Sequence, residues 1–190
     1  GGSLDVLEMT GQEATILFVS DHGDMLGERG LWFKMSFFEG AARVPLMIAA
    51  PEMAPGVVTA PVSTIDICPT LCNLAGISMA EVMPWTHGES LVPLASGGAR
   101  SQEVAMEYAA EASYAPLVSL CSGWWKYIRC ALDPEQLFNL ETDPHELCNL
   151  ASNPQYAKIL QDLRDHSHAL WDLDRFDAEI RESQARRWVI

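Results

Sequence analysis

Positive charge is in short supply. The chain carries 12 lysines and arginines against 26 aspartates and glutamates, a formal net charge of −14 at pH 7. Nucleic acids are bound by basic surfaces that displace condensed counterions, so this balance argues against a nucleic-acid partner. Any anionic ligand must instead be met by local positive charge, because the field of the whole molecule repels it. Long apolar runs are missing as well. None approaches the roughly 18 residues a membrane-spanning helix needs, and no membrane segment is expected. The first residues, Gly1-Gly2-Ser3-Leu4-Asp5, show neither the basic region nor the apolar core of a secretion signal. Cysteine is sparse and unpatterned: Cys68, Cys72, Cys121, Cys130 and Cys148 form no C-x-x-C pair and match no common zinc framework. All five are expected to be reduced and structural, which favours the cytoplasm.

What is present is an ordinary globular composition, 48% apolar and 20% charged, over 190 residues. That length suffices for one domain, or one domain with a small appendage. Residues 4–11 read as a short helix stopped by Gly11. Ala14–Val19 and Val44–Ala50 are apolar runs that read as strands, the first buried on both faces. Val62–Ala75 reads as a helix stopped by Gly76, and a loop rich in Pro, Gly and Ser follows from Pro84 to Arg100. Three strand candidates come next, Glu103–Tyr108, Tyr114–Leu120 and Trp124–Ala131, with a turn at Cys121-Ser122-Gly123. A helix is expected from Pro154 to Leu173, with Tyr156, Ile159, Leu160, Leu163, Leu170 and Trp171 on one face. The charged, helix-like tail ends on the apolar Trp188-Val189-Ile190, and no internal repeat is found.

The densest chemistry lies between the first two strands. Ser20-Asp21-His22-Gly23-Asp24-Met25-Leu26-Gly27 follows the first strand directly, with Gly30-Leu31-Trp32-Phe33-Lys34 and Arg43-Val44-Pro45 after it. Acids and a histidine at the exit of a buried strand can hold a metal ion where open α/β sheets place their ligands. Lys34, thirteen residues after Asp21, can then reach an anion on that metal. From the residues alone a second reading stays open: Asp21 caps a helix, His22 is a surface histidine, and Lys34 lies along Trp32 and Phe33 with its head in solvent. Asp24 is either a further ligand or an acceptor that steadies the turn. Glu39 and Arg43, four apart, can pair on one helix face. Glu28 and Arg29 read as a solvated edge.

This segment resembles the metal-binding segment of the sulfatases, in the alkaline-phosphatase-like superfamily. The likeness runs on through Thr64-Ile65-Asp66-Ile67-Cys68-Pro69-Thr70-Leu71, Trp125-Lys126-Tyr127-Ile128, Gln136-Leu137-Phe138-Asn139-Leu140, Asp143-Pro144-His145-Glu146 and Asn149-Leu150-Ala151. It covers nearly the whole chain and is nearest to the C-terminal part of the choline sulfatases. His87-Gly88-Glu89-Ser90-Leu91 departs from the family, where an aspartate commonly precedes the glycine.

The resemblance implies Asp21 and His22 as ligands of a divalent metal, most naturally Ca²⁺, and Lys34 as the catalytic cation against the sulfate. It makes Asp24 a steadying acceptor. It also implies that Glu111, in Glu107-Tyr108-Ala109-Ala110-Glu111, receives the quaternary ammonium of choline sulfate. The residues themselves leave Glu111 open to being a solvated acid. The C-x-P-x-R nucleophile motif of the family does not occur: Cys68-Pro69-Thr70-Leu71 has the wrong spacing.

The expected fold is therefore α/β, the C-terminal portion of an alkaline-phosphatase-like sulfatase fold with a small antiparallel sheet and a C-terminal helix. Residues 1–100 would carry the metal and sulfate segment and residues 101–190 a C-terminal subdomain. The expected function is a fragment of a sulfuric ester hydrolase with an incomplete metal site, inactive alone and self-associating as a homo-oligomer. The alternatives are a phosphonate or phosphate ester hydrolase of the same superfamily, and a non-catalytic oligomerising module.

Overall fold

A computed structural model describes residues 2–11, 13–51, 53–101, 103–110 and 113–187. The expected apolar end Trp188-Val189-Ile190 and the candidate Glu111 lie outside the described residues. In chain order the elements are α1 (Gly2–Thr10), β1 (Ile16–Val19), β2 (Met25–Leu26), β3 (Trp32–Phe33), α2 (Glu39–Ala42) and β4 (Leu46–Ala49). They continue with α3 (Ile67–Leu74), α4 (Met79–Val82), α5 (Val92–Ala95), β5 (Val104–Tyr108), β6 (Leu117–Ser122), β7 (Trp125–Cys130), β8 (Gln136–Asn139), α6 (Ala157–Leu170) and α7 (Leu173–Arg187). Backbone contacts divide the chain into two compact units: Gly1–Asp21 with Val44–Ser101, and His22–Arg43 with Gln102–Ile190. The division read from sequence and this one differ in the segment His22–Arg43.

In the first unit β1 and β4 pair antiparallel, Ile16 opposite Ala49 and Val19 opposite Leu46. Their residues alternate between exposed and half-buried, and Phe18 is 56% exposed. The apolar run is thus a one-sided strand rather than one covered on both faces. A continuous apolar stretch does not by itself distinguish the two. The expected helix at Val62–Ala75 begins as a 3-10 turn over Thr64–Asp66 and becomes α3 at Ile67. Ser63 and Asp66 form a reciprocal capping box at its start. Pro69 falls in the first turn of α3, where its missing N–H costs nothing.

In the second unit β5–β6–β7–β8 form a four-stranded antiparallel meander. The β6–β7 turn is Gly123-Trp124, with Gly123 at φ +56° and Ser122 paired to Trp125. That places β6 two to three residues later than the expected strand, and leaves Tyr114 90% exposed. Cross-strand partners share a face. Leu120, Tyr127 and Leu137 line one face and pack with Leu160 and Leu163 of α6. Ile128 and Phe138 line the other and pack with Phe37. Helix on one side and the His22–Arg43 segment on the other explain why the middle of β6 and β7 is buried at every residue.

The long expected C-terminal helix is broken at Trp171, whose backbone is extended. Its indole N–H donates to Glu107 Oε1 (2.6 Å) and its carbonyl accepts from Arg129 (2.9 Å). These two anchors on the sheet hold the residue out of helical geometry. The chain re-enters helix under Asp172, whose carboxylate accepts from Arg175 N (3.1 Å).

Candidate functional site

The site candidates sit on the loop that leaves β1. Asp21 is exposed and follows Ser20, whose hydroxyl lies 3.5 Å from its carboxylate. His22 is half-buried, and its Nδ1 lies 2.8 Å from the Gly23 carbonyl. A carbonyl only accepts, so Nδ1 carries the proton and a neutral ring keeps its lone pair on Nε2. That is the arrangement in which a second-sphere carbonyl orients a metal-binding histidine. Asp24 Oδ1 stands 4.0 Å from the same Nδ1.

Two glycines let this loop lie against α2. Gly23 N–H donates to Ala41 O at 2.8 Å, and a Cβ on Gly23 would stand 2.2 Å from Gly40 O. A Cβ on Gly40 would in turn meet Met25 Sδ at 2.9 Å. At Gly23 the contact is with backbone and only glycine permits it, whereas at Gly40 the flexible Met25 side chain could yield. Between these ends β2 and β3 make a small hairpin, Met25 opposite Phe33 and Leu26 opposite Trp32. Met25 is buried, while Leu26, Trp32 and Phe33 are exposed. Phe33 adopts φ +69°, a left-handed backbone uncommon for a bulky residue. Lys34 follows it, exposed, with its carbonyl accepting from Ser36 N at 2.8 Å.

The far end of the loop is held by a buried ion cluster that sequence reasoning missed. Lys126 of β7 is 0% exposed and its ammonium donates to Phe37 O (2.8 Å), Glu146 Oε1 (2.9 Å) and Glu39 Oε1. Glu146, 2% exposed, accepts from Glu39 N (2.7 Å) with its other oxygen. Burial alone would pull the Lys126 pKa down, but the Glu39 and Glu146 carboxylates outweigh it and raise it. The expected Glu39–Arg43 pair is present at 3.9 Å, the weaker of the two contacts Glu39 makes to a cation. Arg29 is exposed, as expected of an edge residue, and its guanidinium also stacks 4.2 Å above the Phe38 ring and 5.6 Å from Phe138. The ion cluster and the Phe138 ring are not visible from local spacing, because Lys126, Phe138 and Glu146 lie about a hundred residues downstream of the loop.

Three of the four site residues predicted from sequence fall among the described residues. Asp21 closes the first of the two segments of one compact unit, while His22 and Lys34 lie on the clamped loop of the other. Glu111 lies outside the described residues. Among the described residues no three His, Cys, Asp or Glu side chains gather as a metal-holding group. Calcium takes about 6–8 oxygens, so the described residues do not by themselves fit a closed Ca²⁺ site. The five cysteines are free thiols.

Residues 27–172 match the protein family described as N-sulphoglucosamine sulphohydrolase, C-terminal. The chain belongs to the sulfatase family. A choline-sulfatase of Rhizobium meliloti (strain 1021) is 60% identical over 195 residues, an alignment covering 100% of this chain and 38% of that protein. Arylsulfatase K of Danio rerio is 38% identical over 161 residues, covering 80% of this chain and 30% of that protein. The chain therefore spans well under half the length of these sulfatases. Among solved structures, the phosphonate monoester hydrolase of Agrobacterium radiobacter shares 27% identity at a TM-score of 0.70, covering 90% of this chain and 38% of that one. A 2-O GAG sulfatase shares 28% identity at a TM-score of 0.69, covering 93% and 38%. The sulfatase resemblance and the α/β fold class read from sequence both hold. No helix among the described residues is long and apolar enough to cross a membrane.

Proposed function

We propose that this chain is part of a sulfuric ester hydrolase acting on a small sulfate ester, choline sulfate in particular, and that it supplies part of the reaction site. The 60% identity to a choline-sulfatase along the whole chain carries this reading. Lys34 is the residue placed against the sulfate. As the S–O bond breaks, negative charge moves onto the leaving oxygen, and a fixed ammonium beside it lowers that barrier. Asp21 and His22, consecutive in the chain, contribute two donors to a divalent cation, Ca²⁺ by the hardness of the carboxylate, and the remaining donors come from outside this chain. Such a cation would neutralise charge on the sulfate oxygens. Glu111 receives a quaternary ammonium, which cannot donate a strong hydrogen bond and is held by charge.

The 190 residues contain no C-x-P-x-R motif, so the chain alone has no nucleophile of the family's kind and is expected to be inactive. Its residues 1–100 carry the metal and sulfate segment and residues 101–190 the supporting subdomain. Five free thiols support a reducing, cytoplasmic setting, and the exposed Ile16, Phe18 and Met47 support self-association. A phosphonate monoester hydrolase is the second reading, favoured by the 0.70 TM-score to a solved enzyme of that name.

Turnover by the whole protein containing this chain tests the choice. Choline sulfate should be preferred, by kcat/KM, over an aryl sulfate and a phosphonate monoester. Glu111→Gln should lower kcat/KM on choline sulfate by roughly 10- to 100-fold and leave an aryl sulfate that lacks an ammonium nearly unchanged. Preference for the phosphonate ester would overturn the sulfatase reading of the substrate, and equal losses on both sulfates would remove the role given to Glu111.

A further inference from the structure

We propose that Lys126 and Glu146 are positioning residues for Lys34, clamping the loop that carries it onto the four-stranded sheet. The inference rests on the reading of Lys34 as the sulfate-facing cation.

The clamp grips main chain as well as side chains. An ammonium has three N–H donors, and Lys126 spends all of them: on the Phe37 carbonyl at 2.8 Å, on Glu146 Oε1 at 2.9 Å and on Glu39 Oε1. The second Glu146 oxygen takes the Glu39 amide at 2.7 Å. Two of these partners, Phe37 O and Glu39 N, are backbone groups of the loop itself. Their directionality fixes the path of residues 37–39 in a way that apolar packing cannot. Buried ion pairs are often no more stabilising than apolar side chains of similar volume, so a gain in register is a better account of this cluster than a gain in stability.

From Phe37 back to Lys34 is a three-residue leash, at most about 10–11 Å when extended, and the Ser36 N to Lys34 O hydrogen bond of 2.8 Å shortens it. The other end of the loop is pinned by Gly23 N–H on Ala41 O, again 2.8 Å, within the same helix that begins at Glu39. Between the two anchors Phe33 holds φ +69°. Such a conformation persists only where the surroundings over-determine it, and it sits one residue before Lys34. Arg29 adds a further contact, stacked on Phe38 and Phe138. The hairpin that presents Lys34 is thus closed at both ends, and both closures run through α2 and the cluster beneath it.

The test uses the whole protein containing this chain, with two readouts. Hydrogen exchange is followed at the Gly23 and Ser36 amides, with Tyr127 in the sheet as reference. Glu146→Gln should speed exchange at Gly23 and Ser36 at least tenfold and leave Tyr127 unchanged. Turnover is then measured in a double-mutant cycle with Lys34→Ala. Glu146→Gln should lower kcat by 10- to 100-fold, on the order expected for a small misplacement of a reacting group, with little change in KM. In the Lys34→Ala background the same substitution should cost less than about twofold, because the residue it positions is already gone. Should Glu146→Gln fail to fold, Glu39→Gln removes one carboxylate, leaves Glu146 and Phe37 O on Lys126, and carries the same expectations. Equal acceleration at Tyr127, or kinetic losses that simply add, would overturn the proposal and make the cluster a general stabiliser. If Lys34→Ala leaves turnover intact, the sulfate reading falls, and the exchange contrast alone decides whether the clamp holds the loop.

Discussion

Asp66 and Lys126 are both fully buried charged residues, one in each compact unit, and the way each is satisfied differs. Asp66 accepts from Ser63 N (2.8 Å), Glu89 N (3.0 Å) and the Arg100 guanidinium (2.6 Å), partners 3, 23 and 34 residues away. Lys126 donates to Phe37 and Glu39, 89 and 87 residues back, and to Glu146, 20 residues on. The first cluster is nearly local. It starts α3 and ties the His87–Leu91 stretch to it, helped by Thr70 Oγ1, which accepts from Leu91 N at 2.9 Å. The second spans most of the second unit and closes a long loop. The same economy of paired buried charge therefore builds a helix start in one unit and holds a presented side chain in the other.

Breaking the long-range cluster should have the larger effect. Lys126→Met leaves Glu39 and Glu146 with no cation between them, and removing one partner of a buried pair costs about 3–5 kcal/mol. Denaturant unfolding should show that loss, with early release of amides in residues 23–42. Asp66→Asn keeps the shape of the local cluster and part of its acceptor capacity. We expect a cost of about 1–3 kcal/mol, with exchange rising over Ser63–Leu74 and not over the loop. A larger loss at Asp66 than at Lys126 would invert the comparison.

The smallest effect at neutral pH sharpens it further. Cys121 pairs across the sheet with Lys126, and burial pushes its thiol from 9.0 up to about 12. Between those values the folded state holds a proton that the unfolded chain has lost, so stability falls as pH rises through the window. Lys126 acts in the same direction. Burial opposes its charge, but the two carboxylates raise its pKa above 10.5. Its contribution is complete below 10.5 and is lost as pH climbs through the raised value. Thermal unfolding followed from pH 8 to pH 11 should therefore show a falling midpoint from about pH 9 upward. Cys121→Val should flatten the first part of that fall and leave Tm near neutral pH little changed. An unaltered alkaline slope would mean that the thiol is not held protonated by the fold.

Much of this architecture was legible. The apolar runs of β5, β7 and α6, the Glu39–Arg43 pair and the glycine-bounded loop after β1 follow from spacing and turn chemistry. The sulfatase likeness rested on the order of short motifs, and the family match upholds it. What escaped was set by distant partners. Lys126 looks like a solvent-facing residue on an alternating strand, because nothing near it in sequence announces Glu39 or Glu146. Glu146 looks like a turn residue after Asp143-Pro144, and does sit at φ +55°, yet its carboxylate is buried. Arg29 is exposed as expected, and what spacing could not show is the Phe138 ring beside its guanidinium. The break at Trp171 was hidden for the same reason, since its anchors Glu107 and Arg129 belong to other strands.

The spacing of the clamp also sets an order of events in the life of the chain. Glu39 and Glu146 are separated by 107 residues, and polypeptides are made at roughly 5–20 residues per second. A loop that carries Phe37 and Phe38 therefore emerges from the ribosome roughly 5–20 s before the acid that will fasten it exists. During that interval its aromatic residues have no sheet to cover. A ribosome pause placed between residues 43 and 126 would prolong that exposure.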